Sequence, residues 1–323
     1  MKRFLPIIMA LFFCSASTVA EPNREIKKVL ISQVVEHPAL NKTTQGIIAG
    51  LADKGYAQGV NLDLRTESAQ ANAALAAQIA NKFVTQTPDI VVGVGTISAQ
   101  SFIKYAVDGK VKLVFSSVTD PVSASLAVTA TQGNPNMTGV SNFVALQPQL
   151  ELFKSIQPKL TKLGIIYNPG ELNSVSLVLK LQEACQKMNI VLVQQAVTKT
   201  ADVAQAAVKL STQVDAIFIS NDNTALSSLQ SIIRAANQRK IPVYVSDTDA
   251  VADGAIAALG PNQFEVGKET GYMIANILGG ANINSIRIEY PDKTELYVNE
   301  TAAKNIGLTI PSAILAQAKI IKS

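Results

Sequence analysis

Asp89-Ile90-Val91-Val92-Gly93-Val94-Gly95-Thr96-Ile97-Ser98-Ala99-Gln100 runs from an apolar stretch of strand composition directly into a glycine and hydroxyl loop that opens a helix. The unit recurs as Leu113-Val114-Phe115-Ser116-Ser117-Val118-Thr119-Asp120-Pro121, as Asp215-Ala216-Ile217-Phe218-Ile219-Ser220-Asn221-Asp222-Asn223-Thr224, and as Val243-Tyr244-Val245-Ser246-Asp247-Thr248-Asp249. A short apolar run bounded by turn-forming residues reads as a strand buried on both faces. Polar loops at the carboxyl ends of parallel strands are where open α/β sheets gather ligands. Two such loops in each half of the chain predict two facing sets, and so a cleft between two similar lobes.

The surrounding sequence repeats the same order of elements. In the first half, strands are expected over Val29 to Val34, Asn61 to Glu67, Ile90 to Val94 and Leu113 to Ser116. Helices are expected up to Lys54, over Asn72 to Phe83, where Leu75, Ile79 and Phe83 share a face, and over Ser98 to Ala106. The second half answers with strand Leu163 to Tyr167, helix Ser174 to Met188, strand Ile190 to Gln194, helix Asp202 to Thr212, strand Ala216 to Ser220 and a strand from Ile241. Strands alternating with helices predict parallel sheets covered on both sides, and a repeat of roughly 115–135 residues is domain-sized. The expected fold is therefore α/β, two similar doubly wound parallel-sheet lobes joined by hinge strands. Lobe 1 is expected over 27–142 plus 262–284, and lobe 2 over 143–261 plus 285–323. Crossings are expected after the turn-rich Gly133 to Gly139, after Leu259-Gly260-Pro261, and in the tail that includes Ile286 to Tyr290. Several crossings let lobes close without drifting apart.

A chain of 323 residues with 48% hydrophobic and 16% charged residues has material for two cores and is neither disordered nor collagenous. Lys2-Arg3, the apolar run Phe4 to Phe13 and the small residues up to Ala20 have the order of a secretory signal, with cleavage expected after Ala20 (residues 1–20) and a periplasmic product. The run is shorter than the roughly 20 residues needed to span a bilayer. Phe12-Phe13 stand before Cys14 where a lipid-modified cysteine would want small residues, so a soluble protein is expected. Losing Lys2 and Arg3 takes the formal charge from +4 to +2, and losing Cys14 leaves Cys185 without a disulfide partner. Cys185, inside a helical pattern, reads as a small buried hydrophobe. The near-neutral balance without a basic stripe argues against nucleic acid as partner. A monomer is expected.

Catalytic signatures are absent. Gly93-Val94-Gly95 is followed by Ser98 where the dinucleotide fingerprint wants glycine, and no Walker lysine follows. A single histidine, His37, excludes a histidine zinc cluster, no Gly-x-Ser-x-Gly elbow is present, and Asn221-Asp222-Asn223 does not continue as a calcium loop. No enzyme, cofactor or metal is expected. Binding is better supported. Thr96, Ser98, Ser117 and Thr119 offer hydroxyls beside helix N-termini, which suit an anion, whereas Asp222 and Asp247 in the other lobe offer carboxylates to a cation. A zwitterion such as a free amino acid meets both. Each residue also has a plainer reading: Thr96, Ser98, Ser174 and Asn223 as helix caps, Asp120 as a turn residue before Pro121, and Glu36 and His37 as exposed groups at the first strand's end.

The segments Val35-Glu36-His37-Pro38-Ala39-Leu40, Gly95-Thr96-Ile97-Ser98-Ala99-Gln100, Ser117-Val118-Thr119-Asp120-Pro121, Tyr167-Asn168-Pro169-Gly170-Glu171-Leu172-Asn173-Ser174 and Asp222-Asn223-Thr224 resemble motifs of the ABC-transporter substrate-binding proteins, in the family that includes tryptophan- and tyrosine-binding members. The resemblance spans about Lys27 to Pro311. It implies a type I periplasmic-binding-protein fold, capture of a small molecule between the lobes, delivery to an ABC permease driven by an ATPase, and an aromatic amino acid as ligand. It carries the family's binding loops onto Glu36, His37, Thr96, Ser98, Ser117, Thr119, Asp120, Glu171, Asn173, Ser174, Asp222, Asn223 and Asp247. Asn221 departs from the threonine many relatives have there. Alternatives are a sugar-binding protein of the same fold, a sensory binding module, and a cleft hydrolase or isomerase. The chain has no tryptophan for a sugar ring to stack on, which favours an amino acid.

Overall fold

Strand β1 (Lys27–Gln33) starts the first lobe, followed by α1 (Pro38–Asp53), β2 (Leu62–Ser68), α2 (Ala73–Val84), β3 (Ile90–Val94), α3 (Thr96–Gln100), α4 (Ile103–Val107), β4 (Leu113–Val118) and β5 (Met137–Ser141). The structure, a computed structural model, describes residues 25–321, so the expected leader, its cleavage point and Cys14 lie outside the described residues. The five strands form one parallel sheet in the order β2-β1-β3-β4-β5. Asn72 caps α2 by accepting from the backbone N–H groups of Ala74 and Leu75. The single helix expected over Ser98 to Ala106 is instead two short ones. The Ser101 hydroxyl donates to the Ser98 carbonyl at 2.6 Å, a local bond that competes with the helical ladder where the break falls.

The second lobe repeats this plan. It comprises α5 (Leu146–Ile156), β6 (Lys162–Tyr167), α6 (Leu172–Lys187), β7 (Val191–Ala196), α7 (Val203–Leu210), β8 (Ala216–Ile219), α8 (Asn223–Leu226), α9 (Leu229–Gln238), β9 (Val243–Val245) and β10 (Ala257–Gly260). The order β7-β6-β8-β9-β10 reproduces that of the first sheet strand for strand. After α10 (Gln263–Leu278) the chain returns as β11 (Glu295–Asn299), α11 (Glu300–Asn305), α12 (Ser312–Leu315) and β12 (Lys319–Ile321), which extend the second sheet. β11 is antiparallel to β10, with Glu295 opposite Gly260. It enters from the end of the sheet at which β10 leaves, so it must run back.

The fifth strand of each lobe hands its helix to the other lobe. α5 follows β5 but buries Leu150 and Phe153 with Leu181 and Phe218 of lobe 2, the Phe153 ring stacking 4.3 Å from that of Tyr244. α10 follows β10 but buries Val266, Ile274 and Ile277 with Val29, Ile47 and Leu51 of lobe 1. The backbone therefore crosses between lobes at 142–145, 261–262 and 291–294. Residues 285–290, expected with lobe 2, lie on lobe 1. Ile288 is buried with Phe115 and Met137, and the Glu289 N–H donates to the Gly139 carbonyl at 3.0 Å, because this segment runs alongside β5 before crossing. Cys185 is buried in the lobe 2 core, and that burial pushes its thiol up to about 11.

α1 and α10 touch backbone to backbone. Gly46 and Gly50 on α1 face Gly267 and Gly271 on α10, and a Cβ on Gly267 would fall on the Thr43 carbonyl oxygen, one on Gly46 on that of Phe264. The Asp53 carboxylate seals the outer flank, accepting from Lys268 at 2.9 Å and from the Tyr272 hydroxyl at 2.8 Å. Overpacking at such a site costs about 1–3 kcal/mol or more. Gly267→Leu is expected to lower the calorimetric melting midpoint by several degrees, whereas Gly279→Ala, where a Cβ meets only ordinary contacts, leaves it nearly unchanged.

Candidate functional site

The carboxyl ends of β1, β3, β4 and β5 face those of β6, β8 and β9 across a small cavity that is partly open to solvent. Lobe 1 contributes His37 and Leu40 at the start of α1, Gly95 and Thr96 at the start of α3, Ser117 and Thr119 at the end of β4, and Asn142 at the first crossing. Gly95 has φ 84°, and a Cβ there would strike Val34, so only glycine lets the chain turn into α3 this closely. No side chain caps α3. Ser117, at φ 53°, sits in a bulge of the β4–β5 pairing, with its hydroxyl 3.1 Å from that of Thr43 and donating to Gln263 Oε1 at 3.4 Å. Thr119 Oγ1 donates to Asn142 Oδ1 at 3.2 Å, leaving the Asn142 amide nitrogen as a donor at the cavity wall.

Lobe 2 places three carboxylates near this wall, in unlike states. Glu171 is saturated: it accepts from the Asn223 N–H and side-chain amide, from the Thr224 N–H and hydroxyl, and from Asn173 Nδ2. Asp222 caps α8 through the Ala225 N–H at 2.7 Å, and its other oxygen accepts from the Asn168 N–H and the Ser174 hydroxyl, both at 2.6 Å. Burial, then the adjacent Glu171 charge, push Asp222 up to about 6 against the pull of those donors. Asp247 differs. It is 3% exposed, one oxygen accepts from the Asp249 N–H at 3.1 Å, and the other has no donor among the described residues. Burial, followed by the charge of Asp249, raises it to about 7.

Polar side chains join the lobes within this space and at its rim. His37 Nε2 lies 3.4 Å from Asn223 Oδ1. Because the Asn223 amide nitrogen donates to Glu171, its Oδ1 is an acceptor and the proton sits on His37 Nε2. Burial lowers His37 to about 4, so the ring is neutral at physiological pH. At the rim, Asp120 of lobe 1 accepts from the Ser176 hydroxyl at 2.7 Å and the Lys180 ammonium at 2.6 Å, both on α6 of lobe 2, and the same ammonium stands 4.9 Å from the Phe143 ring centroid. Burial works to raise Asp120, but the bonds from Lys180, Ser123 and Ser176 outweigh it and hold the carboxyl well below the usual range. The lobes are in contact, and the cleft is closed.

Of the residues singled out from the sequence, His37, Thr96, Ser117, Thr119, Asn173, Asn223 and Asp247 border the cavity. The others do not, each for a local reason. Glu36 is exposed and borders a separate surface groove beside β2. Ser98 accepts from the Ser32 hydroxyl beneath α3. Ser174 and Asp222 bond each other, Glu171 is consumed by the loop it holds, and Asp120 is the rim contact. Asp222 therefore does not offer its carboxylate to a cation in the cavity, as the sequence suggested. Leu40, Asn142, Asn221, Leu226 and Gln263 border the cavity without having been expected there. Asn142 and Gln263 are each the residue just past a fifth strand or its crossing, a position that only the internal repeat marks.

A family model described as ABC transporter substrate binding protein matches residues 28–322. A Clostridioides difficile protein named tyrosine-binding protein is 33% identical, covering 97% of this chain and 94% of its own. A Streptococcus pneumonia ABC domain solved in complex with L-Trp is 28% identical with a TM-score of 0.88, covering 92% of this chain and 100% of its own. A ligand-free, open substrate-binding protein from Clostridium difficile is 32% identical yet scores 0.70 over the same coverage. The better overlap with the ligand-bound chain, despite lower identity, agrees with the closed contacts described above.

The Asp120 contact joins the lobes in this closed arrangement. Asp120→Ala is expected to increase the radius of gyration of the ligand-free protein in small-angle scattering. An unchanged value would show that the rim bonds contribute nothing to closure.

Proposed function

Because the chain belongs to the family of ABC transporter substrate-binding proteins, we propose that it captures an aromatic amino acid between its lobes and hands it to the permease of an ABC importer. The free oxygen of Asp247 carries this reading. A buried carboxylate with an open acceptor position is costly unless a cation completes it, and an α-ammonium group is such a cation. The opposite wall offers donors: the uncapped start of α3 at Thr96 and the Asn142 amide suit an α-carboxylate. Leu40 and Leu226 offer apolar surface to a side chain. The names of the Clostridioides difficile relative and the L-Trp-bound structure support an aromatic one.

Binding and closure are one event in this reading. Each lobe recognises one end of the zwitterion, so only the closed form satisfies both ends, and the ligand shifts the equilibrium by its preference for that form. Exclusion of water strengthens both charged contacts. The cavity presents no activated nucleophile: His37 is neutral, and its Nε2 proton is directed at Asn223. We therefore read the protein as a carrier and not an enzyme. The leader-like residues 1–20 support a periplasmic location.

Calorimetry against L-tyrosine, L-tryptophan, L-phenylalanine and a panel of sugars tests the proposal. Heat from at least one aromatic amino acid is expected, and binding confined to sugars would overturn it. Asp247→Asn is expected to weaken binding by about tenfold or more, the value of a hydrogen bond to a charged group.

The ionisation of Asp247 gives binding a pH dependence of known sign. The empty site holds its proton below about pH 7, and a ligand ammonium requires the ionised form, so affinity should be level above pH 7 and fall towards tenfold per unit below it. The empty protein has the opposite dependence. Its folded value lies above the unfolded value of about 3.9, so it loses stability as pH rises from about 4 to 7. Empty Asp247→Asn should therefore melt higher than the wild type at pH 8 while binding less tightly.

A further inference from the structure

Asn173, in the first turn of α6, is 3% exposed and borders the cavity, yet its Oδ1 is buried without a hydrogen-bond partner. Its orientation is fixed. Nδ2 donates to the Asn221 carbonyl at 2.8 Å and to Glu171 Oε2 at 3.2 Å, both of which only accept, so the reversed amide would set oxygen against oxygen. Glu171 is itself held by the backbone and side chains of Asn223 and Thr224. The amide is thus anchored by its donor end, and the end left over is an acceptor. On the same lobe 2 wall, Asp247 has a second oxygen with no donor among the described residues.

Building on the reading that an amino acid is the ligand, we propose that Asn173 Oδ1 and Asp247 together form a two-acceptor cradle for its ammonium group, which restricts the site to amines that keep at least two N–H donors. Asp247 supplies the charge, and Asn173 supplies direction. A carboxylate alone accepts a single N–H as readily as several, whereas a second fixed and buried acceptor is left orphaned by any ligand that cannot donate to it. A site built to receive a hydrogen bond rejects analogues that lack the donor far more strongly than an apolar pocket rejects a change of size. Asparagine suits this position because one residue must donate to Asn221 and Glu171 and still carry an unengaged acceptor, and aspartate would meet Glu171 with a like charge.

The test is calorimetry with L-tyrosine and its deamino analogue 3-(4-hydroxyphenyl)propanoate, on the wild type and on Asn173→Leu and Asn173→Ala. If no aromatic amino acid binds the wild type, the parent reading fails and this one with it. If L-tyrosine binds, its preference over the deamino analogue should shrink about tenfold in both variants. General damage to lobe 2 would lower both affinities together and leave that preference intact, and an intact preference overturns the proposal. A wild-type measurement keeps the test open should both variants misfold. N,N-dimethyl-L-tyrosine, with one N–H, should bind at least tenfold more weakly than N-methyl-L-tyrosine, with two. A step smaller than about threefold overturns the cradle.

Discussion

The contact between α1 and α10, glycine against glycine, is the constraint from which the rest of the architecture follows. Four residues without side chains let two helix backbones meet, and carbonyl oxygens occupy the places where Cβ atoms would stand. Such a contact tolerates no sliding. α10 continues from β10 of the other lobe through only Pro261 and Asn262, so fixing it on lobe 1 fixes the end of β10 at the cleft. α5 does the same in reverse from β5. The exchange of helices places both fifth strands, and the loops beside them, on either side of one cavity.

Within lobe 2, three acids of similar appearance divide the work. Glu171 and Asp222 hold the loop between β8 and α8, each surrounded by donors from the chain itself. Their oxygens are occupied by internal donors, and their role is to keep Asn221 and Asn223 in place at the cavity wall. Asp247 is buried, is held by a single backbone bond and keeps one oxygen without a donor among the described residues. The empty protein bears that cost, which is the pattern expected when stability is traded for recognition.

The lobes were legible in the sequence because apolar runs ending in glycine and hydroxyl loops recur at a domain-sized interval. The match in strand order, down to β10 answering β5, follows from the same repetition. What was not legible depends on partners far away in the chain. Asp222 and Asp247 look alike in sequence, both ending a strand. Asp222 is satisfied by Asn168 and Ser174, 54 and 48 residues away, a distance no local pattern spans. Asp120 read as a turn residue or ligand contact, and its partner Lys180 is 60 residues on, in the other lobe. Gln263 reaches the cavity only because α10 crosses to lobe 1. The antiparallel β11 is likewise a result of where the third crossing enters.

The three crossings also bear on the entropy of closure. Two free bodies that associate lose translational and rotational freedom worth about 4–15 kcal/mol, whereas lobes tied at three places have already surrendered nearly all of it on folding. Each lobe is then present to the other at a very high effective concentration, and what closure still has to restrict is little more than one bending coordinate. A molecule with two charged ends and few other polar groups therefore suffices to hold the whole assembly shut.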